Sequence, residues 1–165
     1  MGRETGAHMT DPDSTTRPRL PDTPLPPLAG GAAVPLRAHR QATVLVLLPS
    51  RPDTADVAYL RSLGAAEPAL RGWDGRVVAV LAGGASTEEL AAARATLDPL
   101  ALPFPVAADA SGTVARAAGV TPPALVVCDQ WGEVYAALPV GPERPWLPVG
   151  EVEEWLRFLS VRCGG

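Results

Sequence analysis

The sequence predicts an α/β fold of three layers, a central mixed β-sheet with helices packed on its faces. Three observations carry this. Two continuous apolar runs of strand length, Thr43 to Leu48 and Arg76 to Leu81, read as strands buried on both faces. The segments that follow them carry helix caps and helical apolar spacing, so each strand leads into a crossover and parallel pairing follows. A later pair of strands around Asp129-Gln130-Trp131-Gly132 reads as a hairpin, which adds an antiparallel edge. At 165 residues the chain is expected to hold one domain, residues 23–163, behind a flexible Pro-rich tail over residues 1–22.

In chain order, Met1 to Asp22 is polar and without period. Gly6-Ala7-His8-Met9 within it has the look of a cloning scar or of native sequence, and stays outside the fold argument. Thr23 to Gly31 is extended by its prolines and turns at Gly30-Gly31. Ala33-Val34-Pro35-Leu36 reads as a short edge strand, because Pro is tolerated only at edges. After the strand ending at Leu48, Asp53 or Thr54 is expected to cap a helix, with Asp56 beside the positive end of its dipole. Val57, Leu60 and Leu63 would face the sheet until Gly64 weakens the helix.

Ser86-Thr87-Glu88-Glu89 is a capping box, followed by Leu90, Ala93 and Leu97 at helical spacing. Phe104 to Ala108 is a short strand ending at Asp109, and Gly112 to Ala118 a brief helix. Ala124 to Cys128 and Glu133 to Leu138 form the hairpin. Val152, Trp155, Leu156 and Leu159 line one face of a closing helix.

Composition excludes several classes. A net charge of -4 argues against nucleic acid and anionic lipid as main partners, since both require a basic surface. No apolar run approaches membrane-spanning length. Lys, Ile and Asn are absent and all 14 basic residues are Arg, the codon pattern of a GC-rich genome, so an Arg here is weak evidence for an anion ligand. No secretory signal is visible, and with two widely spaced cysteines a reduced, cytoplasmic setting is expected.

Specific residues add a resemblance. Pro21-Asp22-Thr23-Pro24 through Pro35-Leu36 looks like an entry hairpin, Val44 to Pro49 like the strand leading into a reactive turn, and Gly119 through Tyr135 is the most specific segment. In it Pro123 stands six residues before Asp129, which opens a turn ending in Gly132. This pattern resembles the thioredoxin-like superfamily, in particular its redoxin branch of alkyl hydroperoxide reductase and thiol-specific antioxidant proteins, over roughly residues 21–163. The resemblance implies a three-layer thioredoxin-like fold with a cis-proline before the C-terminal hairpin, at Thr121-Pro122-Pro123. It also implies a thiol oxidoreductase or peroxidase whose cysteines sit at the start of the first long helix.

Those cysteines are missing. Aligned from Val44, the family's Cys-x-x-Cys falls on Pro52-Asp53-Thr54-Ala55, and a peroxiredoxin register places the nucleophile on Val57. The thiolate is both nucleophile and electron carrier, stabilised by the helix N-terminus, and none of these side chains forms a disulfide. Pro122 also lacks the N–H with which the family's residue before the cis-proline pairs to an extended peptide.

The remaining candidates read more readily as structure. Cys128 lies mid-strand as a small hydrophobe, whereas Cys163 at the end of the last helix is more accessible. His39 beside Arg40 has no second His or Cys nearby for a zinc site, and a triad with Ser50 or Ser111 has no support from spacing. Asp109 and Asp129 suit cap and turn roles, and Gly30-Gly31 and Gly83-Gly84 fit no phosphate or dinucleotide loop. Trp73, Trp131 and Trp146 fall in loops and mark a contact surface only if exposed together.

The expectation is a thioredoxin-fold protein without thiol catalysis, acting as a protein-binding or assembly module, with no cofactor and no metal. Its partner would be another protein, a homodimer being open. The alternative is a thiol-disulfide oxidoreductase, peroxiredoxin-related antioxidant protein or redox sensor using Cys163 or Cys128. A third reading has a reactive cysteine supplied by another chain in a complex.

Overall fold

The computed structural model describes residues 16–163, without the side chain of Cys163. Five strands form one sheet in the order β3-β2-β1-β4-β5. The strands are β1 (Ala42–Leu48), β2 (Gly75–Leu81), β3 (Val106–Ala108), β4 (Ala124–Cys128) and β5 (Val134–Pro139). β1 pairs in parallel with β2, and β2 with β3, while β4 runs antiparallel to both β1 and β5. The mixed sheet with one hairpin edge is the predicted plan.

Four α-helices flank it: α1 (Thr54–Gly72), α2 (Thr87–Leu97), α3 (Thr113–Ala118) and α4 (Val149–Cys163). β1 is buried along its whole length, because its side chains enter two separate cores. One face, with Val44, Val46 and Leu48, meets Leu60 and Leu63 of α1 and Val152, Leu156 and Leu159 of α4. The other, with Leu45 and Leu47, meets Val114 and Ala118 of α3 together with Leu20, Leu25, Val34 and Leu36.

Three expectations need correction. The tail does not reach residue 22: the Leu20 N–H donates to the Gly132 carbonyl, Val134 donates to Pro18, and Leu20 is buried. Residues 1–15 of the expected tail lie outside the described residues. Ala33 to Leu36 is not a strand; Val34 makes a single antiparallel bridge to Leu25, which closes the entry hairpin. Finally, α1 runs through both Gly64 and Pro68 to Gly72. Pro68 removes only the helical bond to the Gly64 carbonyl, while Leu60, Leu63 and Leu70 on either side remain buried in the core.

Candidate functional site

β1 delivers the chain at Leu48 to the turn that carries Pro52-Asp53-Thr54-Ala55. Asp53 caps α1 with extended backbone, and its Oδ1 accepts from the Asp56 N–H at 2.9 Å. The Asp56 Oδ2 accepts in turn from the Asp53 N–H at 2.9 Å. This reciprocal box satisfies two N–H groups at the positive end of the helix. Asp53, Thr54 and Ala55 are exposed, Pro52 is half-buried and Asp56 is buried. The positive end of α1 is therefore occupied by two carboxylates of the chain itself.

A second layer covers this tip from far along the sequence. Trp146, in the loop between β5 and α4, donates its indole N–H to Asp56 Oδ1 at 3.0 Å. Its ring stacks on Tyr59 with centroids 4.8 Å apart and planes 11° from parallel. Burial raises the pKa of the Asp56 carboxyl above its ordinary value, against the bonds from Asp53 and Trp146, which favour the carboxylate. Burial also raises that of the Tyr59 hydroxyl, which has no hydrogen-bond partner among the described residues. The Asp-x-x-Asp spacing of Asp53 and Asp56 was a local signal for the box. For Trp146 no local signal existed, since its partner is 90 residues away.

The β1–β4 register, with Leu47 opposite Ala124, brings Thr121-Pro122-Pro123 to the same end of the sheet as this turn. The Pro122–Pro123 peptide bond is cis. The Pro123 carbonyl accepts from the Val140 N–H at 2.9 Å, and Pro122 has no N–H to offer. Pro122 and Pro123 are half-buried and Thr121 is exposed.

Both cysteines fall in other elements. Cys128 is fully buried opposite Thr43, its Sγ 3.5 Å from the Thr43 carbonyl. Burial, helped by the charge of Asp129, pushes its pKa up to about 12. From Thr43 to Leu48 the strand rises about 17 Å, so Cys128 lies at the far end of β1 from the α1 tip. Cys163 is the last residue of α4, and its side chain lies outside the described ones. The helix brings that last turn to the same far pole, where Leu159 and Ser160 line a cleft with His39 and Ala42.

The other candidates resolve into structure. His39 is exposed before β1, whereas Ser50 and Ser111 lie at the opposite end of the sheet, so no triad forms. The Asp109 carboxylate accepts from the N–H groups of Thr113 and Val114, at 3.1 and 2.9 Å, and holds the start of α3. Asp129 Oδ1 accepts from Trp131 and Glu133, both at 2.9 Å, and closes the hairpin turn. Gly83 is required by contact: a Cβ there would lie 2.5 Å from the Gly112 nitrogen. Gly30 and Gly31 turn with positive φ, 80° and 107°.

Trp73 and Trp146 are half-buried, each with its indole bonded to a carboxylate, Glu153 and Asp56. Trp131 is exposed, and with Trp73, Arg40 and Asp74 it borders the far-pole cleft of about 570 Å³. No group of three or more His, Cys, Asp or Glu suited to a metal ion occurs among the described residues. No described helix is long and apolar enough to cross a membrane.

A five-stranded mixed sheet with α1 leaving the end of β1, and a proline loop entering β4 beside it, defines the thioredoxin-like fold, and the solved structures agree. The chain is similar to a thioredoxin-like protein from Porphyromonas gingivalis (18% identity, TM-score 0.64, covering 88% of this chain and 94% of that one). It is also similar to a secreted disulfide oxidoreductase from Mycobacterium tuberculosis, homologous to E. coli DsbE (17%, TM-score 0.63, 84% and 96%). StoA from Bacillus subtilis is a third (17%, TM-score 0.59, 82% and 98%). At these identities the likeness is one of fold. No protein-family model matches the sequence, and no curated protein matches it.

Proposed function

We propose that this protein is a thioredoxin-fold binding module that carries out no thiol-redox chemistry at the turn after β1. The observation that carries the reading is the occupied helix tip. Pro52-Asp53-Thr54-Ala55 stands where the fold would hold its thiols, and the Asp53–Asp56 box uses the N–H groups that would stabilise a thiolate. The described thiol, Cys128, is buried at the other end of the strand, and its raised pKa leaves it protonated at neutral pH.

The partner in this reading is another protein, met differently from a peptide pairing along the cis-proline loop, because Pro122 offers no donor there. The free Cys128 thiol is in keeping with a reducing, cytoplasmic setting.

The test is peroxide consumption by the full chain with dithiothreitol as reductant. The expected rate equals that of the buffer with dithiothreitol alone, in the wild type and in Cys163→Ser alike. Consumption well above that background and lost in Cys163→Ser would overturn the reading and assign the chemistry to that thiol.

A further inference from the structure

We propose that the outer face of α4 is a self-pairing surface through which two copies of this chain form an antiparallel, two-fold dimer. This goes beyond the reading of the turn and does not depend on it. Among the described residues three large hydrophobic side chains are exposed, and two of them, Phe158 and Val161, lie on this one face, 46% and 77% exposed. A shallow hollow bordered by Leu147, Glu151 and Trp155 lies on one side of Phe158, and another bordered by Arg157, Val161 and Arg162 on the other. Phe158 is held in place between them by edge contacts with Trp155 and Tyr135, ring centroids 6.1 and 6.4 Å away. A fixed aromatic knob beside its own hollows is what a two-fold contact requires, because the same patch must supply both halves.

The order of side chains names the occupant. Glu151, Trp155, Phe158 and Arg162 follow one another at spacings of four, three and four, which keeps them on one stripe of the helix. The spacing reads the same in both directions. The midpoint between Glu151 and Arg162 coincides with that between Trp155 and Phe158. When two such stripes meet antiparallel about that point, Trp155 faces Phe158 of the second copy, and Glu151 faces its Arg162 at both ends. Glu151 and Arg162 are exposed, and neither makes an ion pair among the described residues. About 16 Å of helix separates them within one chain, so they can meet only between copies. Their placement also suits the dipole of α4, acid in the first turn and base in the last. The dipole explains neither the exposed Phe158 between them nor the symmetric spacing.

Sedimentation velocity of the full chain over a concentration series tests this. The wild type is expected to move from monomer to dimer as concentration rises. Glu151→Arg and Arg162→Glu, each setting like charges opposite one another, are expected to weaken the dimer about tenfold. The double exchange Glu151→Arg with Arg162→Glu restores opposite charges at both ends, and with them dimerisation close to the wild type. Phe158→Gln, an exposed change that leaves the core intact, weakens it independently of charge. A wild type monomeric throughout, or a double exchange no better than either single one, overturns the proposal; the second result would assign the charges to the helix dipole alone.

Discussion

Asp56 shows how one buried side chain can close a helix end and tie it to a distant loop. Its carboxylate closes the α1 cap, receives the Trp146 indole and is buried while doing so. Removing it in Asp56→Ala leaves Trp146 Nε1 and the Asp53 N–H without acceptors, at an expected cost of about 1–2 kcal/mol in urea unfolding. Trp146→Phe keeps the stack on Tyr59 and loses only the indole donor, so its effect should shrink when Asp56 is already Ala.

The pH dependence has a definite sign. Because the folded-state pKa of Asp56 is raised, its ionisation opposes folding. That penalty is complete above the folded pKa and vanishes below the unfolded one, near the ordinary 3.8. The stability of the wild type relative to Asp56→Asn should therefore rise as pH falls from neutral toward that value, measured by thermal melts across the range. A constant or falling difference would contradict it. Cys128, buried and held protonated, should stay unlabelled by a thiol reagent in the native Cys163→Ser variant and react fully once the chain is unfolded. Labelling at native pH without unfolding would place it in a more open site than the one described.

At the scale of elements, the sequence was most readable where one local rule decided the outcome. β1, β2 and β4 are apolar on both faces, so burial dictated them. Both bonds of the Ser86–Glu89 capping box are present, and Asp129 and Gly132 turn the hairpin as their chemistry predicts. The readings failed where distant packing overrode a local rule. Gly64 and Pro68 are breakers in an isolated helix, but in α1 the buried Leu60, Leu63 and Leu70 outweigh them. Leu20, a single apolar residue between prolines, carried no period that could announce its place in the core. The cover of Trp146 and Tyr59 over the α1 tip was likewise illegible, since the residues it joins lie far apart in the sequence.

The glycine pair after β2 gives a test at this scale. A Cβ on Gly83 would meet backbone of the Asp109–Gly112 turn, which cannot rotate away, whereas the Gly84 position is open and strained only by its φ of 79°. Gly83→Ala should cost about 1–3 kcal/mol by denaturant midpoint, and Gly84→Ala about 1 kcal/mol. Equal costs would mean that the two turns do not pack as described.

For the whole molecule, the fold places its two poles in contrast. At one end of the sheet lie the α1 tip, closed by two carboxylates under an aromatic stack, and the cis-proline loop. At the other lie Cys128 and the last turn of α4, a full strand length away. That no cysteine stands at the turn after β1 could be read from the sequence, because residue type alone decides it. How Asp53, Asp56 and Trp146 are arranged there required the structure. Reduction of insulin disulfides by the full chain, with dithiothreitol as electron donor, measures the consequence most directly. Insulin is expected to precipitate no faster than with dithiothreitol alone; an acceleration by catalytic amounts of the protein would show that this chain does transfer electrons.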